Sequence, residues 1–124
     1  MPKLNTELLL KVADKLDSLK GKRAMLYDQT VFSTPTACGT AYDICGWAAV
    51  ICKIHVRYPV PHELVAKRLG VVPWKMPRDW DDVMQPHIFS AYFMRGASPQ
   101  QVAARLREFA KAGRIRFRKS DFPQ

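Results

Sequence analysis

The sequence has no long apolar run, no even set of cysteines, no internal repeat and no glycine–serine linker. Each absence removes a class of protein. The longest uncharged apolar stretch, Ile44 to Cys52, is followed at once by Lys53 and falls well short of the roughly 18 to 20 residues that span a bilayer. Residues Met1 to Glu7 carry neither an apolar signal core nor a small-residue cleavage pattern, so a cytoplasmic protein without membrane contact is expected. Cys38, Cys45 and Cys52 are an odd number, which argues against a disulfide framework and fits a reducing compartment. Acidic residues are also scarce, 11 against 20 lysines and arginines.

What is present is enough for one folded domain, residues 1–124. Hydrophobic residues make up 48% of the chain, and a domain of this size buries roughly two-thirds of the surface its unfolded chain exposes. The net charge of +9 biases the chain toward anionic partners: nucleic acid, acidic protein surfaces or anionic lipid. The plain alternative is a solvated surface that happens to be cationic.

Hydrophobic periodicity predicts a mainly α bundle of about five helices with a short basic C-terminal β element. Asn5 or Thr6 caps a first helix with Leu8, Leu9, Val12, Leu16 and Leu19 on one face, closed by Gly21. Residues Lys22 to Ala37 read as irregular, with Tyr27, Val31 and Phe32 returning to the core. Thr40 or Asp43 starts a central buried helix that runs to His55. A short helix, His62 to Leu69, ends at Gly70. Pro73 and Pro77 stiffen the connector to a helix capped by Asp79, with Asp81 and Asp82 in its first turn; Pro86 interrupts it before a second helical piece, His87 to Arg95. Ser98, Pro99 and Gln101 give a capping box for the last helix, whose stripe is Val102, Leu106, Phe109 and Ala110 and whose stop is Gly113. Arg114 to Lys119 alternate cationic and apolar side chains, as a half-buried strand does.

The seven-residue spacing of the cysteines suggests a metal site until geometry is applied. Seven residues of helix rise about 10 Å, whereas thiolates on one zinc each lie about 2.3 Å from it. Cys45 and Cys52 therefore cannot share an ion on a continuous helix. Cys52 and His55 are close enough in sequence to do so, yet two further ligands are needed, and His62 and His87 lack a motif that places them. No metal or cofactor is expected. A cysteine hydrolase is the distant alternative, with Cys45 activated near a helix start and His87 as its base.

Nucleic acid is the stronger lead. His62 to Val71 resembles the first helix of a helix-turn-helix, but prolines fall where the recognition helix belongs. Ser98 to Lys119 is similar to the last helix and wing of winged-helix domains. Residues 101–124 hold seven cations against Glu108 and Asp121. The candidate phosphate-binding residues are Lys67, Arg68, Arg105, Arg107, Lys111, Arg114, Arg116, Arg118 and Lys119. The expected function is a non-enzymatic binding module for nucleic acid, with docking on an acidic host protein as the alternative.

The segment Cys38-Gly39-Thr40-Ala41-Tyr42-Asp43-Ile44-Cys45-Gly46-Trp47-Ala48 resembles a motif in a family of small uncharacterised bacterial and phage proteins, which carry Cys-Gly-Thr, two variable residues, then Cys-Ile-Ala-Gly-Trp-Ala. Asp43 stands at the family's second cysteine and Cys45 at its alanine. The resemblance implies a bacterial or phage origin and a structural role for the shared residues: a capped helix start, a close helix contact at Gly46 and an aromatic core anchor at Trp47.

Overall fold

A computed structural model describes residues 3–29, 32–55, 60–73 and 86–123. Among these the chain is mainly helical, with four α-helices: α1 (Thr6–Asp17), α2 (Ile44–Ile51), α3 (His62–Leu69) and α4 (Pro99–Ala112). Two 3₁₀ segments, Gly21–Leu26 and Lys119–Asp121, and one antiparallel hairpin, β1 (Ser33–Thr36) with β2 (Gly39–Tyr42), complete the described secondary structure. The helix expected from Asp79, residues 74–78 of its connector, and Val31 lie outside the described residues.

α1 and α4 are the most extensively packed pair. Leu8, Leu9, Val12, Ala13 and Leu16 on one helix meet Val102, Ala103, Leu106 and Phe109 in a shared buried core. Polar bonds fix their register. Gln100 Nε2 donates to the carbonyl of Leu19 at 2.8 Å and to that of Asp17 at 3.3 Å, closing the C-terminal end of α1. The capping box of α4 forms as expected, Gln101 N–H to Ser98 Oγ at 3.1 Å and Ser98 N–H to Gln101 Oε1 at 2.8 Å. The helix stops at Gly113, which is left-handed at φ 74°. The first helix stops earlier than expected, at Asp17, because Ser18 takes over the cap and Gly21 instead opens the 3₁₀ segment.

Asn5 links two elements. Its Oδ1 accepts from Leu8 N–H to cap α1, while its Nδ2 donates to Arg68 O and its N–H to Leu69 O at the end of α3. The chain can cross there because Gly70, at φ 73°, has no side chain: a Cβ would collide with the Lys3 carbonyl.

The central helix is shorter than its apolar run suggested. It starts at Asp43, whose carboxylate accepts Gly46 N–H at 2.7 Å, and ends at Ile51 rather than His55. Cys52 is its C-cap, Lys53 turns left-handed at φ 59°, and the amides of Lys53 and Ile54 return to the carbonyls of Val50 and Ala49. That is a Schellman ending with lysine where glycine is usual. Gly39 and Thr40 lie in β2 instead of opening the helix.

Residues His87 to Arg95 form successive turns instead of a helix. The carbonyls of Ile88 and Ser90 are taken by the buried amide of Gln29, at 2.6 and 2.9 Å, and the amide of Phe89 by His87 Nδ1. Ile88, Phe89 and Phe93 reach the core all the same. The C-terminal β element is also corrected: Arg114 lies in a bend, and residues 115–118 form no strand and pair with none among the described residues, so the expected wing is absent there.

Candidate nucleic-acid interface

The nine cations expected to meet phosphate separate into two groups. Arg105 sits on the apolar stripe of α4, three residues after Val102 and four before Phe109, so its side chain is carried inward and is 8% exposed. Its guanidinium forks onto the Asp121 carboxylate, Nε to Oδ1 and Nη2 to Oδ2, both at 2.9 Å. Nη1 donates to Glu108 Oε2 at 2.7 Å, Nη2 also donates to the Arg116 carbonyl at 2.8 Å, and the plane stacks on the Phe109 ring at 4.2 Å. The bonds to Asp121 raise the Arg105 pKa above its ordinary value. Burial pushes Asp121 up, but its bonds to Arg105 and to Arg118 N–H outweigh burial and hold it below the usual carboxylate range. Arg105 is therefore part of the structure and is withdrawn from the contact set.

Arg107 leaves that set as well. Its Nη2 bridges Asp14 at 2.9 Å and Asp17 at 3.5 Å, tying α4 to α1 across the surface. Arg118 is intermediate, exposed but tethered to Glu108 at 3.6 Å and to Asp121 at 3.8 Å.

The second group remains exposed: Lys111, Arg114, Arg116, Lys119, Lys67 and Arg68, none of them in an ion pair among the described residues. Along residues 114–118 exposure alternates, Arg114, Arg116 and Arg118 outward, Ile115 and Phe117 half-buried. The backbone of this segment is tied from behind: Arg105 holds the Arg116 carbonyl and Asp121 accepts Arg118 N–H at 2.9 Å. Asp121 itself is anchored by its carbonyl, which accepts Met94 N–H at 2.6 Å. Phe117 and Phe122 pack with Phe93 and Phe109 beneath the row.

No protein-family model, no curated protein and no solved structure matches this chain. The site is therefore read from its own geometry.

The row and the end of α3 share a cavity of about 240 Å³. Leu4, Val71, Ile88 and Phe117 give it apolar walls, His87 contributes a ring, and Arg114 stands at its edge. Lys67 is exposed near the end of α3, and Arg68 lines a separate cleft with Lys11 and Cys52.

Cys45 and His87, the thiol and imidazole candidates, are both buried. Cys45 is fully buried, and burial, reinforced by the neighbouring Asp43 carboxylate, pushes its thiol well up despite its place in the first turn of α2. His87 is also buried. Its Nδ1 accepts Phe89 N–H at 3.0 Å, which leaves the proton on Nε2, 2.7 Å from the Val72 carbonyl. Burial holds this imidazole below its ordinary pKa. Cys38 is exposed in the hairpin turn and Cys52 half-buried at the α2 cap. Among the described residues no three His, Cys, Asp or Glu side chains are grouped to hold an ion, and no helix is long and apolar enough to cross a membrane.

Gly46 and Trp47 have structural places. A Cβ on Gly46 would lie 2.5 Å from the Phe32 carbonyl and 2.8 Å from Tyr42 Cβ, so only glycine lets α2 approach the hairpin. Trp47 donates from Nε1 to the Leu26 carbonyl at 3.0 Å and meets Tyr42 edge-on.

Proposed function

We propose that this chain is a non-enzymatic binding module that grips the phosphate backbone of nucleic acid with Lys111, Arg114, Arg116 and Lys119, in the cytoplasm of a bacterial cell or its phage-infected host. The observation that carries the reading is the outward row of arginines at residues 114–118, whose backbone is held from behind by Arg105 and Asp121. A pre-shaped row loses less side-chain and backbone freedom on meeting phosphate than a flexible tail would. Lys111, Arg114, Arg116 and Lys119 need not abandon protein carboxylates first, which separates them from Arg107 and Arg118. Phosphate contacts of this kind position a strand and make binding salt-dependent without reading sequence.

Fluorescence anisotropy of labelled oligonucleotides against salt tests the proposal. Four phosphate contacts give a log–log slope of about −3 to −4. Arg114→Ala and Arg116→Ala each reduce that slope by about 1, whereas Arg107→Ala leaves it unchanged. No binding at about 50 mM salt, or a slope indifferent to Arg114 and Arg116, would reject the proposal. In that event, salt-sensitive retention of an acidic protein by the same arginines would favour the docking alternative.

A further inference from the structure

The cavity beside the row adds a specific consequence. Arg114 of the row lines it together with Ile115 and Phe117 of the same segment, so a phosphate held by Arg114 lies beside the cavity. Its volume of about 240 Å³ exceeds the ~150 Å³ that already accepts a benzene ring. The walls suit a flat, mainly apolar ring: Phe117 and His87 are aromatic, and Leu4, Val71 and Ile88 are aliphatic. The wall is firm, since both His87 ring nitrogens are engaged with backbone and Phe117 packs on Phe93, Phe109 and Phe122.

Polar partners are present as well. The peptide groups of Ile115 and Phe117 make no hydrogen bond among the described residues, because the segment has no neighbouring strand. A base edge offers complementary donors and acceptors to unbonded peptide groups on a lining segment, which a purely aliphatic guest does not.

Resting on the backbone-binding reading above, we propose that this cavity seats one unpaired nucleobase of a single strand whose adjoining phosphates lie on Arg114 and Arg116. A paired base is held in its stack and cannot enter without being flipped out, so the chain prefers single strands to duplex. Recognition here is by ring stacking and burial and is tolerant of sequence.

The test compares three labelled probes on the full chain at one salt concentration: a short single strand, the same strand with abasic sites, and a duplex of equal length. The intact strand is expected to bind roughly tenfold more tightly than the abasic strand, with both showing the same salt slope. Ile115→Trp, a substitution at the half-buried edge of the cavity, is expected to abolish that tenfold difference while keeping the slope. Equal binding of intact and abasic strands, or tighter binding of duplex, overturns the base pocket and leaves the arginine row standing. Failure of all three probes to bind overturns the row and the pocket together. The wild-type comparison decides the matter even where Ile115→Trp does not fold.

Discussion

Replacing Asp121 by asparagine keeps the side-chain shape and removes the charge that the buried Arg105 guanidinium faces. Asp121 is 2% exposed and receives three hydrogen bonds, two from Arg105 and one from the Arg118 amide, all at 2.9 Å. Breaking a buried ion pair by removing one partner costs about 3–5 kcal/mol, because the remaining charge is left without compensation. Glu108 stays bonded to Arg105 at 2.7 Å from a half-exposed position, which places the expected loss near the lower figure, about 3 kcal/mol. With an m-value of roughly 1–3 kcal/mol/M in urea, the midpoint falls by about 1–3 M. A second variant separates charge from shape. Arg105→Met combined with Asp121→Leu replaces the pair by apolar groups and is expected to recover most of the loss. A decrease below about 1 kcal/mol for Asp121→Asn would mean that solvent reaches the pair, and that Arg105 does not hold the C-terminal row.

His62 and His87 are both held below their ordinary pKa of 6.5 by burial, His62 also by the proximity of His87. The folded chain therefore binds fewer protons than the unfolded chain just under that value, and stability is lost as pH falls below about 6.5, by at most ~1.4 kcal/mol per pH unit for each histidine. Urea midpoints that stay level from pH 7.5 to 5.5 would contradict this. Gly46→Ala forces a Cβ against the Phe32 carbonyl and Tyr42, an overpacking expected to cost about 1–3 kcal/mol and to lower Tm by several degrees; an unchanged calorimetric Tm would show that α2 can slide from the hairpin. With a thiol reagent at neutral pH, Cys38 labels first and Cys45 only through unfolding. Cys45 labelling faster than in the denatured chain would revive the hydrolase alternative.

Local chemistry was the legible part of the fold. The caps at Asn5, Asp43 and Ser98, and the stops at Gly70 and Gly113, involve residues adjacent in sequence, so their signals survive without tertiary knowledge. What failed depended on distant partners. Gln29 takes carbonyls from residues 88 and 90, and no pattern near either segment announces it. The Schellman ending at Lys53 was hidden for a related reason, since lysine there gives no glycine signal. At the candidate site, a legible cue was available: position 105 falls on the same helical stripe as Val102, Leu106 and Phe109, which places an arginine among core residues. Glu108 and Asp121 were counted only as opposing charge, whereas their role depends on which arginine they meet.

That distinction changes how the net charge should be used. Counting charges over residues 101–124 treats Glu108 and Asp121 as neutralising the neighbouring cations equally. The structure concentrates both on Arg105, with Arg118 tethered at longer range, and spends Asp14 and Asp17 on Arg107. A guanidinium suits the inner position because its planar fork reaches two carboxylates and a carbonyl at once, which a lysine ammonium does not match geometrically. Asp121 is thus drawn inward, Glu108 is engaged by Arg105, and the α1 acids are taken by Arg107, so Lys111, Arg114, Arg116 and Lys119 face solvent with little opposing charge. Those same bonds of Arg105 and Asp121 hold the backbone that displays these cations, so under the proposed function the stability of the C-terminal segment and the affinity for phosphate are coupled through Arg105.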